Sequence, residues 1–158
     1  MERITLKNIK HSIFASEETH CYQATVWFDG KPVGQVSNDG RGGPDREIIR
    51  NPKSWETMTH YIKTLPSREF MDRAFSPDLE TICGDLVNQW LARKELKRLL
   101  KSRVIVRKPG GELIQTKANI SPVVLKKWGE QYMAENAANV VLNTLNFDTA
   151  LKLFMGDK

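Results

Sequence analysis

Cysteine is nearly absent: Cys21 and Cys83 are the only two in 158 residues. That is too few for a disulfide framework, and a reducing cytosol is the compartment they lead one to expect. Long apolar runs are also missing. None approaches the ~18 residues that a membrane span needs. Met1–Thr5 alternates in polarity without an apolar signal core, so a cytoplasmic, non-secreted chain is expected. Histidine is sparse, and His11, His20 and His60 form no His-x-x-x-His pair, just as the cysteines form no Cys-x-x-Cys. His20 and Cys21 are adjacent, and neighbours on a strand point to opposite faces, so no metal centre and no cofactor is expected. No serine or cysteine sits in an elbow-type motif, and no catalytic residue is assigned. The composition excludes a disordered, collagenous or coiled-coil chain.

What is present reads as α+β, with antiparallel hairpins packed on amphipathic helices. A chain of this size forms one domain or two small lobes sharing a core: a β-rich one over 1–65 and a helix–hairpin–helix one over 78–158. Tyr22, Ala24, Val26 and Phe28 share one parity and Gln23, Thr25 and Trp27 the other, the period of a half-buried strand. Asp29-Gly30 and a second run, Lys31–Val36, complete a hairpin, because a type I′ turn needs positive φ at both central residues. Pro32 places that end of the second strand at an edge, or with its nitrogen outward. Ile4–Ile9 adds a strand beside them. No regular element is expected over 38–47, where Gly40, Gly42 and Gly43 fall within four positions.

Pro52 opens a helix spaced by Trp55, Met58, Thr59 and Ile62. Residues 66–77 read as a linker whose Phe70, Met71 and Phe75 still pack on something. A long helix runs from about Pro77 to Ser102, capped by Ser76 or Asp78. Its stripe is Leu79, Ile82, Cys83, Leu86, Trp90, Leu96, Leu99 and Leu100. Val104–Val106 and Leu113-Ile114 flank Pro109-Gly110-Gly111 as a second hairpin. Ser121-Pro122 opens a helix through Leu125, Trp128, Tyr132 and Met133. Val140–Leu142 makes a short strand, and Phe147, Ala150, Leu151 and Phe154 a closing helix. Trp55, Trp90 and Trp128 all take core-like positions; Trp27 either packs under the helices or offers a stacking surface.

Positive charge is localised. Between 93 and 108 stand Arg93, Lys94, Lys97, Arg98, Lys101, Arg103, Arg107 and Lys108 against Glu95 alone, in a chain of net charge +5. The remaining residues therefore sum to −2. Arg93, Lys97 and Lys101 fall on one line along a helix, flanked by Lys94 and Arg98. Such a ridge can follow a phosphate backbone or meet an acidic protein surface; a solvated face near a helix C-terminus has the same composition. The second candidate is the glycine-rich loop of Asn38, Asp39, Gly40, Arg41, Gly42, Gly43 and Arg46. Its backbone N–H groups can form an anion nest aided by the two arginines, a reading that makes the chain a nucleotide- or phosphate-binding protein. Neither phosphate-loop template fits it. Glu17-Glu18 beside His20 can form an acid/base cluster, or simply a solvated strand entrance.

The run Ser16-Glu17-Glu18-Thr19-His20-Cys21-Tyr22, the Asp29-Gly30-Lys31 hairpin and the Asn38-Asp39-Gly40-Arg41-Gly42-Gly43 loop together resemble small uncharacterised proteins of bacteriophages, plasmids and other mobile elements. Leu86-Val87, Lys94–Leu100, Ile105 and Leu142–Leu151 extend the resemblance over most of the chain outside 47–77. It implies a protein of the bacterial host cytoplasm that binds and disarms a host defence protein or nucleoprotein complex, in the manner of an anti-CRISPR, without enzymatic activity. Direct RNA or DNA contact fits that role. Tyr22–Val36 with its polar glycine loop is also similar to the strands of double-stranded RNA-binding domains. That family's lysine-rich helix start is replaced here by Arg46, Arg50 and Lys53, so the similarity is confined to the hairpin.

Overall fold

The computed structural model describes residues 3–70, 73–116, 121–135 and 138–156, and the architecture is α+β with antiparallel sheets. The chain divides into two compact units, Met1–Asn88 and Gln89–Lys158. In the first unit, β1 (Ile4–Ser12), β2 (Cys21–Phe28), β3 (Lys31–Asp39) and β4 (Arg46–Ile49) form an antiparallel sheet in that order. Tyr22, Ala24, Val26 and Phe28 are buried, as their parity predicts. The β2–β3 turn has φ 48° at Asp29 and 77° at Gly30. The Asp29 carboxylate accepts both arms of the Arg3 guanidinium at 2.8 and 2.6 Å, which also lies 4.7 Å from the Phe28 ring centre and 4.3 Å from that of Tyr61. β4 pairs with β3 only from Gly34 to Ser37, so Pro32 lies beyond its reach, at the edge position that its missing N–H requires.

β4 corrects the sequence reading over 38–47. Asn38 and Asp39 belong to β3, Arg46 and Glu47 to β4, and only Gly40–Asp45 is irregular. The strand is supported by its pairing with β3 rather than by its own pattern: Gly34 faces Ile49, and Val36 faces Glu47. α1 (Pro52–Lys63) is capped by Asn51, whose side chain accepts the Ser54 N–H, and it buries Trp55, Met58 and Ile62. Gly34 permits the close approach of this helix. A Cβ there would overlap the Trp55 ring and stand 2.6 Å from the Ile48 carbonyl oxygen.

The expected linker over 66–77 holds a small hairpin, β5 (Arg68–Phe70) with β6 (Arg73–Phe75), and Arg68 donates to Asp85. Two three-residue strands are too short for alternation to reveal them. Phe75 is 37% exposed rather than packed, since so small a hairpin has no interior; the Phe70 side chain and Met71 lie outside the described residues. α2 (Leu79–Leu100) is capped by Asp78, which accepts the Thr81 N–H at 2.8 Å and its hydroxyl at 2.6 Å.

In the second unit, β7 (Ile105–Arg107) lies between β8 (Leu113–Gln115) and β9 (Val140–Val141). Alternation along the chain at β7 separates two small cores. Ile105 joins Leu96 and Leu99 of α2 and Leu142, Ala150 and Leu151, the last two from α4 (Phe147–Met155). Val104 and Val106 join Val141, with Tyr132 of α3 (Pro122–Glu135) packed against them. Hence α2 and α4 cover one face of this sheet and α3 the other. Gly129 lets α3 come close: a Cβ there would stand 3.2 Å from Val141 Cγ1. A 3₁₀ turn, Leu142–Thr144, follows β9. Asn143 within it accepts the Ile105 N–H and donates to the Arg103 carbonyl, each at 2.9 Å. Among the described residues, no helix is long and apolar enough to cross a membrane.

Candidate functional site

The basic segment resolves into paired and unpaired charges. Arg93 donates to Asp148 at 2.5 Å, and Arg98 grips Glu95 with two bonds of 2.8 and 2.6 Å. Arg98 holds the Glu95 carboxyl below its usual range by that hydrogen bonding. Lys108 reaches Glu112 at 2.8 Å. Arg103, just before β7, and Arg107, its last residue, are half-buried. Lys94, Lys97 and Lys101 remain, exposed and without a carboxylate partner among the described residues. Lys94 and Lys97, three residues apart, share a face of α2, and Lys101 stands in the turn directly after its last residue, Leu100. The line read from the sequence, Arg93–Lys97–Lys101, thus loses Arg93 to Asp148 and gains Lys94. Two aromatic rings interleave with it. Lys94 Nζ lies 4.3 Å from the centre of the Trp90 ring, while Phe147 has Lys97 Nζ at 5.5 Å and Arg93 Cζ at 5.4 Å. Trp90 is accordingly half-buried under its lysine.

The glycine-rich loop is tied inward. Asn38 is 7% exposed; its Oδ1 accepts the Thr19 hydroxyl and the Gly40 N–H, each at 2.8 Å, and its Nδ2 donates to Gly43 O at 2.9 Å and Asp45 at 3.0 Å. The Arg41 N–H goes to Asp39 at 3.2 Å and the Gly42 N–H to the Thr19 hydroxyl at 3.3 Å. Three donors of the supposed anion nest are therefore already bonded within the chain. On the other side, the Gly40 carbonyl accepts the N–H groups of Glu17, Glu18 and Thr19 at 3.0, 2.9 and 3.2 Å. The loop fastens the β1–β2 connection to the β3–β4 turn. Arg41 is exposed, and the exposed Arg46 stands 3.9 Å from Asp39.

Beside this loop, a 420 Å³ cleft is lined by Glu17, Glu18, His20, Tyr22, Asp45 and Glu80, among others. The sequence offers Glu17-Glu18-His20 as a cluster, but not its union with Asp45 and Glu80, which come from distant segments. Tyr22 donates its hydroxyl to Asp45; burial, then that bond, pushes its ionisation far up. Burial also raises Glu47, with Asp45, Asp78 and Glu80 adding to the effect. His20 Nε2 meets Asn88 Oδ1 at 2.7 Å and its Nδ1 lies 3.3 Å from His11 Nε2. The Ser16 hydroxyl donates to the Ser12 carbonyl at 2.7 Å and lies 3.4 Å from His11 Nε2. No group of three metal-ligating side chains occurs among the described residues.

Cys83 is fully buried beside Tyr22, and burial, followed by the charge of Asp45, pushes its thiol up to about 12. Cys21 is only half-buried. Since the thiolate is the reactive form, a small disulfide reagent at pH 8 is expected to titrate one thiol per native chain and two in denaturant. Two rapid equivalents from native protein would contradict the burial of Cys83.

The tryptophans separate into three environments. Trp55 is core, as expected. Trp27 is half-buried, with Lys7 Nζ 3.5 Å from its ring centre, and its indole nitrogen is buried without a hydrogen-bond partner among the described residues. Trp128 is 39% exposed, which overturns its core-like reading. A 14-residue helix is about 21 Å long, whereas the strands beneath α3 have two or three residues each. Tyr132 takes the place on the sheet, and Trp128 stacks on Tyr132, with ring centres 4.8 Å apart and planes at 17°.

Comparison of the chain with protein-family models, with curated proteins and with solved structures finds no match.

Proposed function

We propose that this chain is a non-enzymatic nucleic-acid-binding protein acting through Lys94 and Lys97 of α2 and Lys101 just beyond its end. The observation that carries the reading is this row of exposed lysines, without carboxylate partners among the described residues, beside the Trp90 and Phe147 rings. Cations at helical spacing can follow phosphates, and aromatic rings between them suit bases or sugars. The resemblance to mobile-element proteins extends the proposal to a setting: the protein occupies a nucleic-acid surface of a bacterial defence complex and so inhibits it. The phosphate-cradling alternative draws less support, because the N–H groups of Gly40, Arg41 and Gly42 are engaged.

The test is a salt-titrated binding assay with labelled RNA and DNA. Three phosphate contacts give a log–log slope of about −2.7 on duplex DNA. The Lys97→Glu/Lys101→Glu variant is expected to lose binding while keeping its melting temperature, since both side chains are exposed. Undiminished binding by that folded variant, or no binding by the wild type at low salt, would overturn the proposal.

A further inference from the structure

We propose that the Trp128–Tyr132 pair on α3 is a base-stacking platform and that the nucleic acid bound is single-stranded; this inference rests on the nucleic-acid reading above. Tyr132 packs on Val104, Val106 and Val141, and Trp128 stacks on Tyr132 from one helical turn away, at a ring separation of 4.8 Å. The order is sheet, phenol, indole, solvent. A flat apolar ring 39% exposed at the end of a preformed stack has the geometry to receive one more ring, and every base has a π face. Duplex DNA keeps its bases stacked on each other, whereas a single strand can unstack one at low cost.

Lys126 and Lys127 are exposed on α3 without a carboxylate partner among the described residues, in a helix whose Glu130 and Glu135 balance them in number. Val124, 52% exposed, stands one turn before Trp128, where it can cover the edge of a bound sugar or base.

The placement of the two surfaces makes a second, independent argument. The lysine row is at the C-terminal end of α2 and the stack on α3, and these helices cover opposite faces of the β8–β7–β9 sheet. A body the size of residues 89–158 has a radius of gyration of about 11 Å. Duplex DNA, with a persistence length of about 150 bp, cannot turn round so small a body. A single strand can touch both faces.

The experiment compares labelled single-stranded oligonucleotides with the same sequences as duplexes, by fluorescence anisotropy, for wild type, Trp128→Ala, Trp128→Phe and Lys97→Glu/Lys101→Glu. The wild type is expected to bind the single strand at least about 10-fold more tightly than the duplex. Trp128→Ala is expected to weaken single-strand binding about 10-fold, the scale of one stacked base, leaving duplex binding and the salt slope unchanged. Trp128→Phe keeps a ring and retains most of the affinity. If Trp128→Ala melts early, the folded Trp128→Phe serves instead: the oligonucleotide should quench less indole fluorescence than in the wild type. Equal affinity for both nucleic acids, unchanged single-strand binding by folded Trp128→Ala, or identical quenching would overturn the platform. If Lys97→Glu/Lys101→Glu nonetheless abolishes binding in that case, the basic-face reading stands alone. Absence of any binding by the wild type overturns both.

Discussion

Gly40→Ala is expected to destabilise the first unit by about 4 kcal/mol. Two costs combine. Gly40 has φ +86°, and an L side chain held in the left-handed region costs about 1–3 kcal/mol. The added Cβ would also overlap the Ala15 carbonyl oxygen and stand 2.9 Å from Cys21 Cβ, an overpacking worth about another 1–3 kcal/mol. The backbone cannot move aside freely, because the Gly40 carbonyl holds the N–H groups of Glu17, Glu18 and Thr19. Against a domain stability of about 5–15 kcal/mol, such a loss leaves little margin. Thermal melting checks it; a variant melting within about 2 °C of the wild type would contradict the contact.

Leu96→Ala is expected to cost about 3 kcal/mol, by a different route. Leu96 has no exposed surface and sits in the cluster of Leu99, Ile105, Leu142, Ala150 and Leu151. Truncation removes buried methyl groups and leaves a cavity that helices on short strands cannot collapse to fill. Urea denaturation should show a lower midpoint at unchanged slope. Lys97→Ala, exposed on the same helix, should move the midpoint by less than about 0.5 kcal/mol equivalent. Equal effects from the two substitutions would mean that α2 is rotated from the orientation described.

Local chemistry was legible in the sequence, and meetings across the chain were not. Asp29-Gly30 specifies its turn through two backbone angles, so the β2–β3 hairpin could be read directly. The Pro52 start and the Trp55–Met58–Ile62 face lie within three turns of one helix and were equally visible. β4 was missed because Ile48 and Ile49 are both exposed, and its pairing depends on β3 rather than on alternation. The ridge was visible as composition, but only the fold brings Asp148 to Arg93, 55 residues away. The glycine loop carried the right residues for an anion nest. Thr19, from the β1–β2 connection, and Asn38 and Asp39 of β3 claim its donors instead. Trp128 was misread because helical spacing reports a face and not the extent of the sheet beneath it.

The two edges of the four-stranded sheet have a consequence for behaviour at high concentration. A free strand edge is a row of open backbone donors and acceptors, and so a template for stacking chains into aggregates. β1 breaks that row at Asn8, where φ is +55° and the pairing slips between Lys7 and Lys10, and those two lysines add like charge along it. β4 is four residues long, begins with Arg46 and Glu47, and gives way to Pro52 soon after Ile49. One edge is bent and charged, the other short and halted by an imino acid. The exposed Ile48 and Ile49 can thus sit at the rim of the sheet without making it a seed for fibrils.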